Sequence, residues 1–168
     1  MKIKSFFILS LALFISSLVS AQTQESRIAE KRAQNIFVEL GGQGLLFTAN
    51  YDSRFSKRRD GLGGRIGIGH IGENGDRATT VPISLNYLLG KEKHFFEMGL
   101  GASLMLIGGD GDSLLFDEDN STVLGTMSFA YRLQPSDRGF SFRAGLSPIF
   151  NKNFFIPYYA GISLGYSF

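Results

Sequence analysis

No cysteine occurs in the 168 residues, which excludes disulfides, thiolate catalysis, cysteine metal centres and a lipoprotein anchor. Tryptophan is missing too, only two histidines and four prolines are present, and acids nearly balance bases at 15 against 17. So few imidazoles leave little scope for general-base catalysis. So small a net charge leaves no electrostatic footprint for nucleic acid. After the run Phe6 to Val19, no segment approaches the roughly 20 apolar residues of a spanning helix. Sustained helical periodicity is also lacking, apart from a stretch within Gln22 to Gln34 that could form a short helix.

The N-terminus reads as a secretory signal peptide. Lys2 and Lys4 precede the Phe6 to Val19 run, and Val19-Ser20-Ala21 places small residues where a signal peptidase reads. The run is too short for a membrane anchor, so cleavage after Ala21 is expected. Removal of 21 residues leaves 168 − 21 = 147, one domain in size, with 17 − 2 = 15 basic against 15 acidic residues. The sequence pI near 8.9 therefore belongs to the precursor. Residues 1–21 are the expected signal, 22–34 a short polar periplasmic segment, and 35–168 the folded domain.

Twenty-one glycines, sixteen phenylalanines and a period-two apolar pattern dominate what remains. Alternation predicts eight strands: Asn35 to Gly41, Leu45 to Phe55, Leu62 to Ile71, Thr79 to Leu89, Phe95 to Leu106, Thr122 to Leu133, Phe140 to Phe150 and Pro157 to Phe168. Most reach ten to twelve residues, as a tilted membrane strand of roughly 9–11 requires. Ordinary globular strands cluster nearer 5 or 6. The expected fold is all-β, an eight-stranded antiparallel up-and-down transmembrane barrel. Its weak corner is the first hairpin, where Gly41-Gly42-Gln43-Gly44 must reverse the chain; one kinked strand there would leave an odd count.

Each strand has one face too apolar for water. Phe96, Met98, Leu100, Ala102 and Leu104 oppose Glu97, Gly99, Gly101 and Ser103; Phe140, Phe142, Ala144 and Leu146 oppose Ser141, Arg143, Gly145 and Ser147. A soluble barrel with an apolar cavity would carry many Lys and Glu on its other faces. Here those faces are mostly Gly, Ser, Thr and Asn, which suit the narrow lumen of an eight-stranded barrel. Glu39, Asp52, Arg54, Arg65, Glu97, Arg132 and Arg143 share this inward set. They read as a structural plug of ion pairs, with a proton path or active site as the sharper alternative.

The last strand ends on an aromatic residue, as a strand closing a lipid-facing barrel does. That ending sets Phe168 at the periplasmic side, and Ser56 to Gly61, Gly90 to His94 and Gln134 to Gly139 become periplasmic turns. Gly72 to Ala78, the region from Ile107 to Ser121 and Asn151 to Ile156 become outer connections. The longest falls on the expected side. Its acids Asp110, Asp112, Asp117, Glu118 and Asp119 do not fit the EF-hand loop, because Leu114 stands where an oxygen ligand is needed. A solvated loop, or one bridged to lipopolysaccharide phosphates by divalent cations, fits better. His94 belongs to a turn beside Phe95 and Phe96; His70 ends a strand near the outer rim. No cofactor is implied, and the Gly61 to Gly64 cluster is not a phosphate loop, since no helix follows it.

Val38-Glu39-Leu40-Gly41-Gly42, Asn50-Tyr51, Val81-Pro82-Ile83, Asn86 to Gly90, Phe142 to Gly145 and Gly161 to Phe168 resemble the small outer-membrane barrels of Bacteroidetes-type bacteria. These are comparable to OmpX- and OmpW-like eight-stranded barrels, and the resemblance covers nearly the whole mature chain. It implies insertion by the barrel-assembly machinery, with Leu164, Tyr166 and Phe168 as the assembly signal, and it assigns no reaction. The expected protein is a non-enzymatic, monomeric outer-membrane barrel of a Gram-negative envelope. It would be in contact with outer-membrane lipids and lipopolysaccharide, serve structure or surface interaction, and be at most a very narrow pore. One alternative is a lipid A deacylase-like enzyme, although that family's His two residues before a Ser nucleophile is missing after His70, where Ile71 and Gly72 follow. A soluble periplasmic lipid-binding barrel is the other.

Overall fold

Period-two alternation across thirteen to sixteen residues can be satisfied only by long strands, and four such strands form one wall of the molecule. A computed structural model describes residues 32–73, 76–108 and 121–168. The expected signal peptide, most of the leader and the acidic run 109–120 lie outside the described residues. The strands are β1 (Gln34–Gly41), β2 (Phe47–Arg54), β3 (Gly61–Glu73), β4 (Asp76–Lys91), β5 (His94–Gly108), β6 (Ser121–Leu133), β7 (Gly139–Leu146), β8 (Ile149–Phe150), β9 (Phe155–Ile156) and β10 (Ala160–Ser167). Consecutive strands from β1 to β7 pair antiparallel, β7 pairs with β10, and β10 returns to β1. The chain is therefore all-β, a closed eight-stranded antiparallel barrel, with Asn35 opposite Ser167 and Gly41 opposite Gly161 at the seam. Closure leaves only the two-residue β9, paired with β8 alone, as an edge among the described residues.

The first hairpin is a true reversal, with Leu40 opposite Phe47. The segment between turns inward: Gly42–Gly44 form one 3-10 turn whose residues are all buried. β2 begins at Phe47, two residues later than the alternation from Leu45 predicts, because Leu45 leaves the strand with φ 70° and is buried.

Two prolines interrupt ladders without shifting register. Ile66 faces Ile83 and Gly69 faces Thr80, so the break lies at Pro82, which has no N–H to donate. Pro148 likewise divides the expected strand Phe140 to Phe150 into β7 and β8, yet its carbonyl still accepts from Met127 N at 2.9 Å. The expected strand from Pro157 also divides. Four steps from Leu146 to Phe150 face five from Phe155 to Ala160, so one extra residue bulges at Pro157–Tyr159. That bulge turns Tyr159 toward the inside, where its hydroxyl donates to Leu45 O. The β8–β9 hairpin extends the wall beyond β7 and β10, and the connection expected over Gly72 to Ala78 shrinks because β3 and β4 pair as far as Glu73 and Asp76.

Burial is inverted relative to a water-soluble domain. Among the described residues, seven hydrophobic side chains are buried against twenty-two polar or charged ones. Large apolar side chains cover the outside, with Ile83 and Leu100 each 59% exposed. The start of β1, the end of β10 and the three short turns share one end of the barrel, here the terminal end; the other is the loop end.

At the seam, Gly41 has φ +71° and a Cβ there would stand 2.5 Å from Ala160 O, whereas Gly61 has φ +84° with open space around it. Gly61→Ala should cost only the left-handed strain of about 1–2 kcal/mol, and Gly41→Ala more than that, because it also forces β1 from β10. Urea unfolding of the refolded barrel measures both.

Candidate functional site

Inward parity on β2, β5, β6 and β7 brings five charged groups together toward the terminal end. Asp52 is fully buried. It accepts from Arg54 Nη2 at 2.9 Å on both oxygens, from Arg132 Nη2 at 2.9 Å and from Asn86 Nδ2 at 2.6 Å. Arg132 reaches onward to Glu97 Oε2 at 3.1 Å, and Arg143 Nε meets the same oxygen at 3.0 Å. Room for these long side chains comes from the facing glycines: the Arg54 guanidinium occupies the space a Cβ on Gly63 would fill, and Asn50 does the same over Gly67.

A second group forms toward the loop end. Arg65 donates to Glu39 through both terminal nitrogens and to Asn50 Oδ1 from Nη2 at 2.9 Å. Phe37 lies between the two groups, with Arg143 at 4.4 Å and Arg65 at 5.0 Å from its ring centroid. Two guanidinium groups thus share one aromatic ring as an apolar spacer. Above them the inward-folded first loop fills the lumen: Ser84 donates to Gln43 Oε1 at 3.0 Å, Ser103 to Gln43 O, and Gly44 N to Glu39 Oε2 at 3.1 Å. Leu45, Leu124 and Ile149 cluster over this loop, with Leu46 and Tyr159 against them.

The terminal end is covered differently. Leu88, Phe95 and Gln134 point inward there and are buried. Arg59 spans from the β2–β3 turn across the opening, donating to Glu92 O at 2.7 Å, to Gln134 O at 2.8 Å and to Pro135 O. Burial lowers its guanidinium pKa from the ordinary value. In the sequence Arg59 reads as one more solvated turn charge; folding makes it a strap joining all three terminal turns. Its neighbour, the exposed Arg58, pairs with half-buried Asp60 at 2.7 Å and, chiefly by that hydrogen bond, holds the Asp60 carboxyl below its usual range.

All seven residues Glu39, Asp52, Arg54, Arg65, Glu97, Arg132 and Arg143 are buried inside the barrel, and every one is in an ion pair. Among the described residues their carboxylates face guanidinium groups with no imidazole in contact, an arrangement that suits cross-bracing. His94 lies outside, its Nδ1 2.7 Å from the Tyr131 hydroxyl. His70 is exposed on the outer face with Nδ1 2.9 Å from Thr79 Oγ1. Among the described residues no three metal-ligating side chains cluster. Leu164, Tyr166 and Phe168 stand exposed on β10 and beyond its end. Sequence parity identifies the seven charges, and Phe37, two residues before Glu39 on β1, shares that inward parity; Gln43 and Arg59 escape it, because their roles depend on how a loop and a turn fold across the lumen. Comparison of the chain with protein-family models, curated proteins and solved structures finds no match.

Asp52→Ala leaves two buried guanidinium groups short of a counter-charge and should cost about 3–5 kcal/mol of barrel stability. Asp52→Asn, which keeps the volume and some hydrogen bonds, should cost less. Urea midpoints against the parent chain measure both, and Arg58→Ala on the exposed rim should leave the midpoint unchanged.

Proposed function

We propose that this protein is an integral outer-membrane β-barrel with a filled lumen, serving envelope structure or surface interaction rather than catalysis. The inverted burial carries this reading: a column of paired charges inside and a continuous apolar surface outside suit lipid around the sheet. The closed sheet satisfies its own backbone, which hydrocarbon demands. A soluble lipid-binding barrel would need an apolar interior, and most interior residues here are polar or charged. The two covered ends and the ion-paired middle favour occlusion over a narrow pore.

The N-terminal secretory pattern supports export to the outer membrane, with the terminal end facing the periplasm and the loop end facing outward. β4 and β5, of 16 and 15 residues, exceed the roughly 9–11 that cross the bilayer, and the surplus would project as a short outer wall. Likeness to the Bacteroidetes-type small barrels, insertion by the assembly machinery through the β10 end, contact with lipopolysaccharide and a monomeric state belong to the same proposal. A second reading, a lipid-modifying enzyme, draws on the His70–Thr79 pair; it needs an orienting acid. Loss or gain of an acyl chain on lipid A in deletion or overexpressing cells would favour it.

Fractionation tests the main reading. The protein should be recovered with outer membranes and show a heat-dependent gel shift; recovery in the soluble periplasm would contradict it. Ile162→Arg and Leu85→Arg, both on the outer face, should each cost about 2–4 kcal/mol of folding into vesicles.

A further inference from the structure

The outer surface is not uniformly covered by large side chains. On the wall formed by β2 to β5, Gly64 and Ala102 interrupt the apolar rows, and a shallow concavity of about 560 Å³ opens between them. Tyr51, Phe55, Leu85 and Leu100 form its sides. The register explains the hollow: Gly64 lies opposite Leu85, which lies opposite Leu100, so one row runs from no side chain to two leucines. The Phe55 ring lies within 3.1 Å of where a Gly64 Cβ would stand and closes the hollow at one side.

The turns directly below this wall are the basic ones. The β2–β3 turn carries Lys57, Arg58 and Arg59 against Asp60, and Lys91 and Lys93 stand either side of Glu92, so both turns keep a net positive charge; Lys57, Arg58, Lys91 and Lys93 are exposed. Lys57, Lys91 and Lys93 make no ion pair among the described residues. The remaining terminal turn holds Asp137 and Arg138, which balance. At about 3.3 Å per residue along a strand, Lys91 at the end of β4 stands roughly 20 Å beyond Leu85, and Lys57 lies in the turn two residues past Phe55. Cationic groups therefore end the same wall that holds the hollow.

Resting on the membrane reading above, we propose that this wall binds one anionic glycerophospholipid of the periplasmic leaflet. Its acyl chain lies in the hollow between Phe55 and Leu100, and its phosphate is held by Lys57, Lys91 and Lys93. Basic side chains near an anionic surface give the charge term, and the hollow adds a shape that an acyl chain can enter.

Because the chain has no tryptophan, a single Tyr51→Trp reports on the hollow and Leu164→Trp on the opposite wall. Both are refolded into phosphatidylcholine vesicles with a minor share of brominated phosphatidylglycerol. Local enrichment of that lipid, read from quenching, should be about fivefold higher at position 51 than at 164. Bromine on the phosphatidylcholine should reverse the order. Ala102→Phe, which fills the hollow, and the triple Lys57→Gln, Lys91→Gln, Lys93→Gln variant should each abolish the excess in barrels that keep their heat-dependent shift. Equal quenching at both positions overturns the proposal, as does an excess that survives the triple variant. Weak quenching at 51 by both lipids would mean that another protein copy covers the wall. No quenching at either position, with no heat-dependent shift, would instead defeat the membrane reading itself.

Discussion

Asp52 accepts hydrogen bonds from Arg54, Arg132 and Asn86, three groups on three different strands, inside a lumen that admits little besides them. A carboxylate there is costly unless every lone pair is engaged, and removing a partner is costlier still. The barrel must therefore close at one circumference and in one register. Arg132 extends the constraint to Glu97 on β5, and Glu97 extends it to Arg143 on β7. From Arg143 it passes through the Phe37 ring to Arg65 and Glu39. Few side chains of a seven-charge column are free to move independently.

Filling the inside with charge has a consequence for the outside. In a strand, successive residues face opposite ways, so committing Asn50, Asp52 and Arg54 inward leaves Tyr51 and Phe55 on the surface. The glycines of β3 serve the same arrangement: Gly63 and Gly67 give their volume to Arg54 and Asn50, while Ile66 and Ile68 between and beyond them stay outside. Slipping any strand by one residue would put charges into the apolar exterior and leucines into the column. The polar interior and the apolar exterior are thus one pattern seen from two sides.

Much of this is legible in the amino-acid order because it is local. Alternation from Phe96 to Leu104 is enough to set Glu97 inward, and the same parity finds Asp52, Arg65, Arg132 and Arg143. Strand number and antiparallel order follow from that alternation and from the turns. What escapes is whatever depends on a distant partner. Leu45 reads as the first residue of β2, yet it folds inward to meet Leu124 and Ile149. Pro148 and the Pro157–Tyr159 bulge look like strand interior by hydropathy, and only the pairing with β6 and β7 reveals the breaks. Arg59 resembles its neighbours Lys57 and Arg58 in sequence; three carbonyls from two other turns make it a strap.

The central claim is that the column is the interior and the apolar rows are the solvent-facing side, with lipid as the solvent. Paramagnetic relaxation in nuclear magnetic resonance spectra of the barrel in detergent micelles tests it most directly. A fatty-acid spin label should broaden the methyl signals of Ile66, Ile83 and Ile162, while a water-soluble relaxation agent should spare both these methyls and the guanidinium signals of Arg54, Arg132 and Arg143. Broadening of the isoleucine methyls by the aqueous agent, with none from the fatty-acid label, would contradict the account.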